Sequence, residues 1–330
     1  MGRKYHLKSF GLGDLGLAEQ LISSYKFKPY YFVQAVKNEN LNILATRRIQ
    51  RFISSPRNEA FSLTDEAGKL VALAGVGPLD WDTQVLGVVC GRIPFIMLSG
   101  TAEEQGRQAR ALFTELLGYA RKLDIEMLTV RTSAHDFGLI HPLEDIGFRL
   151  MDNGMTALYH RSVKFDYLKK GLTLRDYHEG DLPGILEILA GAYSDDRFHN
   201  DPRITYEKAE ALYAAWITNS CTNPGQDEHV MVAELDGKVG GFFQYQFVHD
   251  FTEATGIKIH SCGLAAVRRD AQGLGIYHSM LSKAINIFIE IGSIYGMTRI
   301  PFSIQPILKL SLRLGPSFLV NDLTFHLWME

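Results

Sequence analysis

Apolar side chains recur at helical spacing in three long stretches of the chain. Ala109, Leu112, Phe113, Leu116, Leu117 and Ala120 form one stripe, Ala209, Leu212, Tyr213, Trp216 and Ile217 a second, and Ile276, Met280, Leu281, Ala284 and Phe288 a third. Each predicts an amphipathic helix with one buried face. Shorter apolar runs at 229–235, 239–248 and 257–267 predict consecutive strands. Further strands are expected at 172–175, 297–302 and 322–329, and a helix at 304–314. Asp181 as a cap and Pro183 in the first turn mark the start of another helix.

The pattern occurs twice. A turn at Asp65-Glu66-Ala67-Gly68-Lys69 followed by the apolar run 70–76 has a counterpart in Leu235-Asp236-Gly237-Lys238 followed by 239–247, with Gly68 and Gly237 169 residues apart. Asp145-Ile146-Gly147-Phe148 with Thr156 to His160 matches Arg313-Leu314-Gly315-Pro316 with Thr324 to Trp328, at an offset of 168. A near-constant offset across separate landmarks is the signature of duplication. It predicts two domains, 1–165 and 171–330, with the boundary in 164–170. A chain of 330 residues is also longer than one ordinary core supports.

The strand ending at Val267 runs through Arg268-Arg269-Asp270-Ala271-Gln272-Gly273-Leu274-Gly275 into the helix that begins with Ile276 and Tyr277. Gly273 and Gly275 leave backbone N–H groups uncovered where a helix starts, and the amides and the helix dipole together favour an anion. A pyrophosphate is the expected guest. Ile276 and Tyr277 stand where a P-loop needs Lys-Ser or Lys-Thr, and the motif follows an antiparallel meander rather than opening a βαβ unit.

Residues 264–275 resemble the acyl-CoA loop of the GNAT acetyltransferases, Gln/Arg-x-x-Gly-x-Gly/Ala after a strand ending in Ala-Val, and the order β-α-α-β-β-β-α-β-α-β over 172–330 is similar to that family's. The resemblance implies an α/β (α+β) fold of two tandem GNAT-like domains, each a mixed, mostly antiparallel twisted sheet flanked by helices. It implies acetyl-CoA as cosubstrate without a metal, bound by Ala265, Ala266, Val267, Gln272, Gly273, Leu274, Gly275, Ile276 and Tyr277. A backbone N–H at the strand end 265–267 would stabilise the developing oxyanion. In the first copy Gln105-Gly106 aligns with Gln272-Gly273, and Gln108 replaces the second glycine, so that copy is expected to be degenerate and not to bind CoA.

Two departures concern the catalytic residues. Ser261 stands where some family members carry a glutamate base, and Ser311 where many carry a tyrosine acid, four residues before the Gly of the Gly-Phe pair. Ser311 is a poor acid. Proton transfer then falls to water, to His249 and Asp250 at the end of the preceding strand, or to His260, which points to the opposite strand face from Ser261.

The polar stretch Tyr193 to Pro202 and the Leu79 to Gly87 segment resemble parts of the TDP-fucosamine acetyltransferases. That likeness nominates an amino-sugar nucleotide acceptor met by Asp196, Arg197 and His199, with Arg197 forking onto phosphate. The expected activity is direct attack of a primary amine on the acetyl thioester. Another small-molecule or peptide amine, and a non-catalytic acyl-CoA-binding module, remain alternatives.

Composition narrows the partners. A formal net charge of −3 gives no basic footprint for nucleic acid and speaks against a tRNA-dependent transferase. Three widely spaced cysteines, Cys90, Cys221 and Cys262, make neither a disulfide framework nor a zinc site. No run reaches the length of a membrane span and residues 1–6 lack a signal-peptide core, so the cytoplasm is the expected address, while the resemblance implies a small-molecule amine as partner. A homodimer is left open.

Overall fold

The computed structural model describes residues 5–162 and 166–329. Residues 1–4, from which no leader was expected, and 163–165, which include 164 and 165 of the expected boundary, lie outside them. The chain divides into two compact units, Met1–Asn153 with Val320–Glu330, and Gly154–Leu319.

In the first unit, β1 (His6–Ser9), α1 (Glu19–Ser24) and α2 (Asn38–Ile53) precede the hairpin of β2 (Glu59–Thr64) and β3 (Leu70–Pro78). A short α3 (Asp80–Leu86) leads to β4 (Cys90–Ile93), β5 (Ile96–Leu98), α4 (Ala102–Lys122), β6 (Met127–Ser133) and α5 (Phe137–Ile146). Strand β7 (Arg149–His160) then crosses from the first unit's residues into the second's.

The second unit continues with β8 (Leu172–Asp176), α6 (Leu182–Leu189), α7 (Tyr206–Thr222), β9 (Glu228–Leu235), β10 (Lys238–Phe247), α8 (His249–Thr255) and β11 (Ile259–Val267). After it come α9 (Ile276–Glu290), β12 (Tyr295–Pro301), α10 (Gln305–Leu314) and β13 (Ser317–Trp328).

Each unit carries a mixed sheet of the same plan. In the first, β1, β2, β3, β4 and β6 are neighbours in that order, with β5 beside β3, and β4 and β6 run parallel. In the second, β8, β9, β10, β11 and β12 follow the same order and β11 and β12 are the parallel pair. All other recorded pairs are antiparallel, as expected of the fold.

The last strand of each sheet is exchanged. Residues 322–328 of β13 pair with β6 in the first unit, while residues 154–160 of β7 pair with β12 in the second. The compact units therefore break at 153/154 and 319/320, whereas the repeat in the sequence breaks between 165 and 171.

Local chemistry explains these elements. Asp236 and Gly237 take φ 53° and 72°, the two positive values that a two-residue hairpin needs, and they join Leu235 to Lys238. Thr101 caps α4, accepting the Glu104 N–H while the Glu104 side chain returns to the Thr101 N–H. The sequence left 249–256 between strands unassigned, with His249 and Asp250 read as a strand end; instead they open α8. Gly256 closes α8 at φ 70°, as Gly87 closes α3 at φ 63°, so these helices are further equivalents of the repeat.

The second core packs α9, through Ile276, Met280, Leu281, Ala284, Ile285 and Phe288, against Phe243, Tyr245 and Cys262 of the sheet. Its counterpart in the first unit packs Leu112, Phe113 and Leu116 of α4 against Ala72, Ala74, Leu128 and Val130. Burial of one apolar helix face on a sheet dominates the stability of both units.

Candidate active site

The site forms where β11 passes into α9. Strand β11 pairs in parallel with β12 only over residues 259–262 and 295–298, then runs on to Val267 beside β10 alone among the recorded pairs. Strand β11 bulges at Gly263 and Leu264, which together oppose Gln244 of β10, and the Gln244 side chain fills the gap by accepting the Leu264 N–H at 3.0 Å. A β-carbon on Gly263 would collide with that amide, which accounts for glycine at this position.

After Val267 the chain makes a single 3₁₀ turn at Arg269–Ala271, with Ala271 buried as its anchor. Gly273 and Gly275 then take φ 76° and 84°, in the left-handed region that glycine adopts without strain. Gly275 is the N-cap of α9, and its carbonyl accepts both the Ser279 N–H at 3.0 Å and the Ser279 hydroxyl at 2.9 Å. The amides of the first turn have no intrahelical acceptor and are open to an anion, as at any helix start. Leu274 is exposed at the tip, Gln272 reaches back to the Val267 carbonyl at 3.4 Å, and Ile276 and Tyr277 turn into the core against α9's own sheet face. Burial pushes the Tyr277 phenol well above its ordinary pKa, so it is neutral throughout the working range.

Three tyrosines that the sequence did not single out meet this site. Tyr167 stacks on His278, with ring centroids 4.1 Å apart and planes 7° from parallel, and its hydroxyl stands where a β-carbon on Gly275 would be. The segment carrying Tyr167 is tied down by the Lys169 N–H donating to Ser279 Oγ at 3.0 Å. Tyr193 places its hydroxyl on the exposed edge of β11: it accepts the Ala265 N–H and donates to the Ala265 carbonyl, both at 3.0 Å. Tyr159 meets Ser311, hydroxyl to hydroxyl, at 2.9 Å. Tyr159 and Tyr193 fall inside stretches noted in the sequence, but the partners of all three phenols are set by tertiary structure alone.

The remaining expected residues are dispersed. His260 is buried on β11, with Nδ1 2.8 Å from Ser293 Oγ and its ring stacked 4.4 Å from Phe288. Desolvation, with a smaller contribution from nearby His229, lowers its pKa to about 4. His249 stands 3.1 Å from Asp227 at the start of α8, with Asp250 next to it. Ser311 on α10 is fully enclosed. These four do not converge on one point of the cradle.

Asp196 and His199 turn inward. Asp196 accepts the Phe198 N–H at 2.9 Å and lies 2.6 Å from His199 Nδ1, and His199 Nε2 is 3.3 Å from Glu210. Arg197 lays its guanidinium over the Phe198 ring at 4.4 Å. The 193–202 stretch is thus a built loop, its buried carboxylate and imidazole serving its own geometry, with Arg197 the member whose charge is less enclosed.

Among its described residues the first unit has no such cradle. Helix α4 starts at Ala102, so Gln105, Gly106 and Gln108 are inside the helix, and the Thr101 and Glu104 side chains take two of the amides at its start. Gln108 is buried and its Oε1 accepts the Ser99 N–H at 3.1 Å. Among the described residues no cluster of side chains suits a metal ion, and no helix is long and apolar enough to cross a membrane.

The chain has the fold of the GCN5-related N-acetyltransferases, built twice in tandem. The GCN5-related N-acetyltransferase of Sphaerobacter thermophilus superposes over 98% of this chain and 95% of its own, with TM-score 0.65 and 12% identity. A tandem GNAT protein from the clavulanic acid biosynthesis pathway covers 98% of each chain at TM-score 0.60 and 13% identity. The glucosamine N-acetyltransferase region of a fungal multi-domain GH3 β-N-acetylglucosaminidase matches 99% of this chain and 38% of that one, at TM-score 0.63 and 12% identity. In sequence, the spore coat polysaccharide biosynthesis protein SpsD of Bacillus subtilis is 20% identical over 164 residues, half of this chain. The match spans about half, 54%, of that curated relative. No protein-family model matches the sequence.

Proposed function

We infer that this chain is an N-acyltransferase that moves an acetyl group from acetyl-CoA to a primary amine, with an amino-sugar nucleotide as acceptor. The observation that carries the reading is the pair of left-handed glycines, Gly273 and Gly275, leading from the free edge of β11 into the N-terminus of α9. The pyrophosphate would rest on the cradle amides, and the thioester arm would extend along residues 265–267.

The amine nitrogen attacks the thioester carbon, the carbonyl oxygen gains charge near the strand-end N–H groups, and the C–S bond breaks to release CoA thiolate. The proton lost by the amine ends on the thiolate. With Ser311 enclosed and the histidines dispersed, ordered water is the carrier that fits. The sugar acceptor draws support from two similar proteins, one named for spore coat polysaccharide biosynthesis and one for glucosamine acetylation. Arg197 is the residue for its phosphate. One CoA per chain is expected, because among the described residues the cradle is found in the second unit alone.

Incubation with acetyl-CoA and a panel of amino-sugar nucleotides, free amino sugars, amino acids and aminoglycosides, read by mass spectrometry, tests this. Acetylated sugar nucleotide is the expected product, and acetylation of another amine moves the acceptor. The hydrogen-bonded Tyr159–Ser311 pair, with serine at the position where the resemblance implies a catalytic phenol, favours a second reading as an acyl-CoA-binding module. CoA binding with no product across the panel selects it.

A further inference from the structure

Beyond its parallel pairing with β12, β11 keeps an edge from Gly263 to Val267 that faces no recorded strand among the described residues. Such an edge is a template for an extended ligand, whose amides can meet each free N–H and C=O. At Ala265 the template is already engaged. The Tyr193 hydroxyl accepts the N–H and donates to the C=O of that one residue, the two bonds that an incoming amide or a partner strand would make.

The phenol is firmly held there. The Tyr193 ring stacks on Tyr213 at 4.6 Å and 4°, and Tyr213 in turn stacks on His199 at 6.0 Å and on Trp216 at 6.4 Å. Because Tyr193 heads the 193–202 loop, displacing its ring disturbs the stack on which that loop is built.

We propose that Tyr193 gates the acyl-CoA track: its hydroxyl closes the β11 edge in the free protein and leaves Ala265 when the acyl-pantetheine arm docks. The proposal rests on the acyl-CoA reading of this same site. At the other end of the track the Tyr167 hydroxyl lies against Gly275 in the cradle. Entry of the thioester thereby moves the loop nominated for the acceptor, which couples donor binding to acceptor binding and predicts an ordered sequence with acyl-CoA first.

Tyr193→Phe keeps the ring in its stack and removes the competing oxygen. In the free variant the Ala265 N–H and C=O lose their partner, so the ligand displaces nothing, and the Kd for CoA measured by titration calorimetry should fall by about tenfold. A Kd equal to or weaker than the parent's overturns the gate and, where the parent binds CoA, leaves the acyl-CoA reading standing. Absence of binding in both proteins overturns both. Binding by the variant alone supports the gate in its tightest form. Tyr213→Leu, which removes the stacking surface and keeps the hydroxyl, covers the case of a Tyr193→Phe chain that does not fold. It should tighten CoA binding in the same direction, and no tightening overturns the proposal.

Discussion

The hydroxyls of Tyr159 and Ser311 lie 2.9 Å apart in the core of the second unit, with 1% and 0% of the two residues exposed. Burial pushes the Tyr159 phenol up to about 12, although the Ser311 hydrogen bond opposes the shift. Ser311→Ala should remove one hydrogen bond from a buried phenol and cost about 0.5–1.5 kcal/mol, seen as a lower denaturant midpoint. Turnover should stay within about twofold of the parent, since general-acid contributions are about 100-fold or more. Ser311→Tyr should destabilise the protein by overpacking against Tyr159. A large loss of turnover in Ser311→Ala with CoA affinity intact would restore Ser311 to the catalytic set.

The two cradle glycines should respond differently. An alanine β-carbon at Gly273 meets open space and adds only the left-handed strain of about 1–2 kcal/mol, whereas at Gly275 it also meets the Tyr167 hydroxyl. Thermal melts should rank Gly275→Ala below Gly273→Ala. Gly275→Glu should abolish CoA binding in calorimetry, each charge-assisted hydrogen bond lost being worth about 1.5–3 kcal/mol.

In the first unit Gln108→Glu should leave CoA binding as it is while lowering stability, because it buries a carboxylate at a 2% exposed position. The stoichiometry should be near one CoA per chain. A value near two would give the first unit a site of its own.

His260 sets a pH dependence of stability. Its folded pKa, about 4, lies below the ordinary 6.5, so between these values the unfolded chain binds more protons and stability falls as the pH drops. Stability is unaffected by this group above pH ~6.5, and about 3 kcal/mol is lost by pH ~4. Urea midpoints at pH 7, 5.5 and 4.5 should decline in the parent and decline less in His260→Phe. Parallel declines would remove His260 as the cause.

Residues 1–165 expressed alone should not give a well-folded first unit, because β6 then lacks the residues 322–328 that pair with it. Amide hydrogen exchange should find β6 unprotected in this fragment and protected in the full chain. Equal protection would show that the exchanged strand is dispensable.

Much of this architecture was readable from residue spacing. The stripes led by Ala109 and Ile276 became α4 and α9, and the paired landmarks Gly68 with Gly237 and Gly147 with Gly315 all take positive φ in equivalent turns and caps. Gly273 and Gly275 were legible because backbone conformation is written locally in glycine. The exchange of β7 and β13 was not, since the last strands of both copies are apolar runs of similar length, and which sheet each one completes is decided by tertiary pairing. Tyr167, Tyr193 and Tyr159 escaped for a related reason: a phenol's partner is fixed by tertiary contact, and a lone tyrosine in sequence looks like core. Asp196 and His199 misled in the opposite sense, since a polar loop that satisfies its own buried groups has the composition of one that binds a ligand.

Synthesis on the ribosome gives the strand exchange a temporal meaning. Strand β6 is made early, but its neighbour β13 emerges only after nearly all of the second repeat. The earlier-made half therefore waits with an open sheet edge, while the later half receives residues 154–160 before its own translation is far advanced. The second unit, with the cradle, can close first, and the half translated first is the last to be completed.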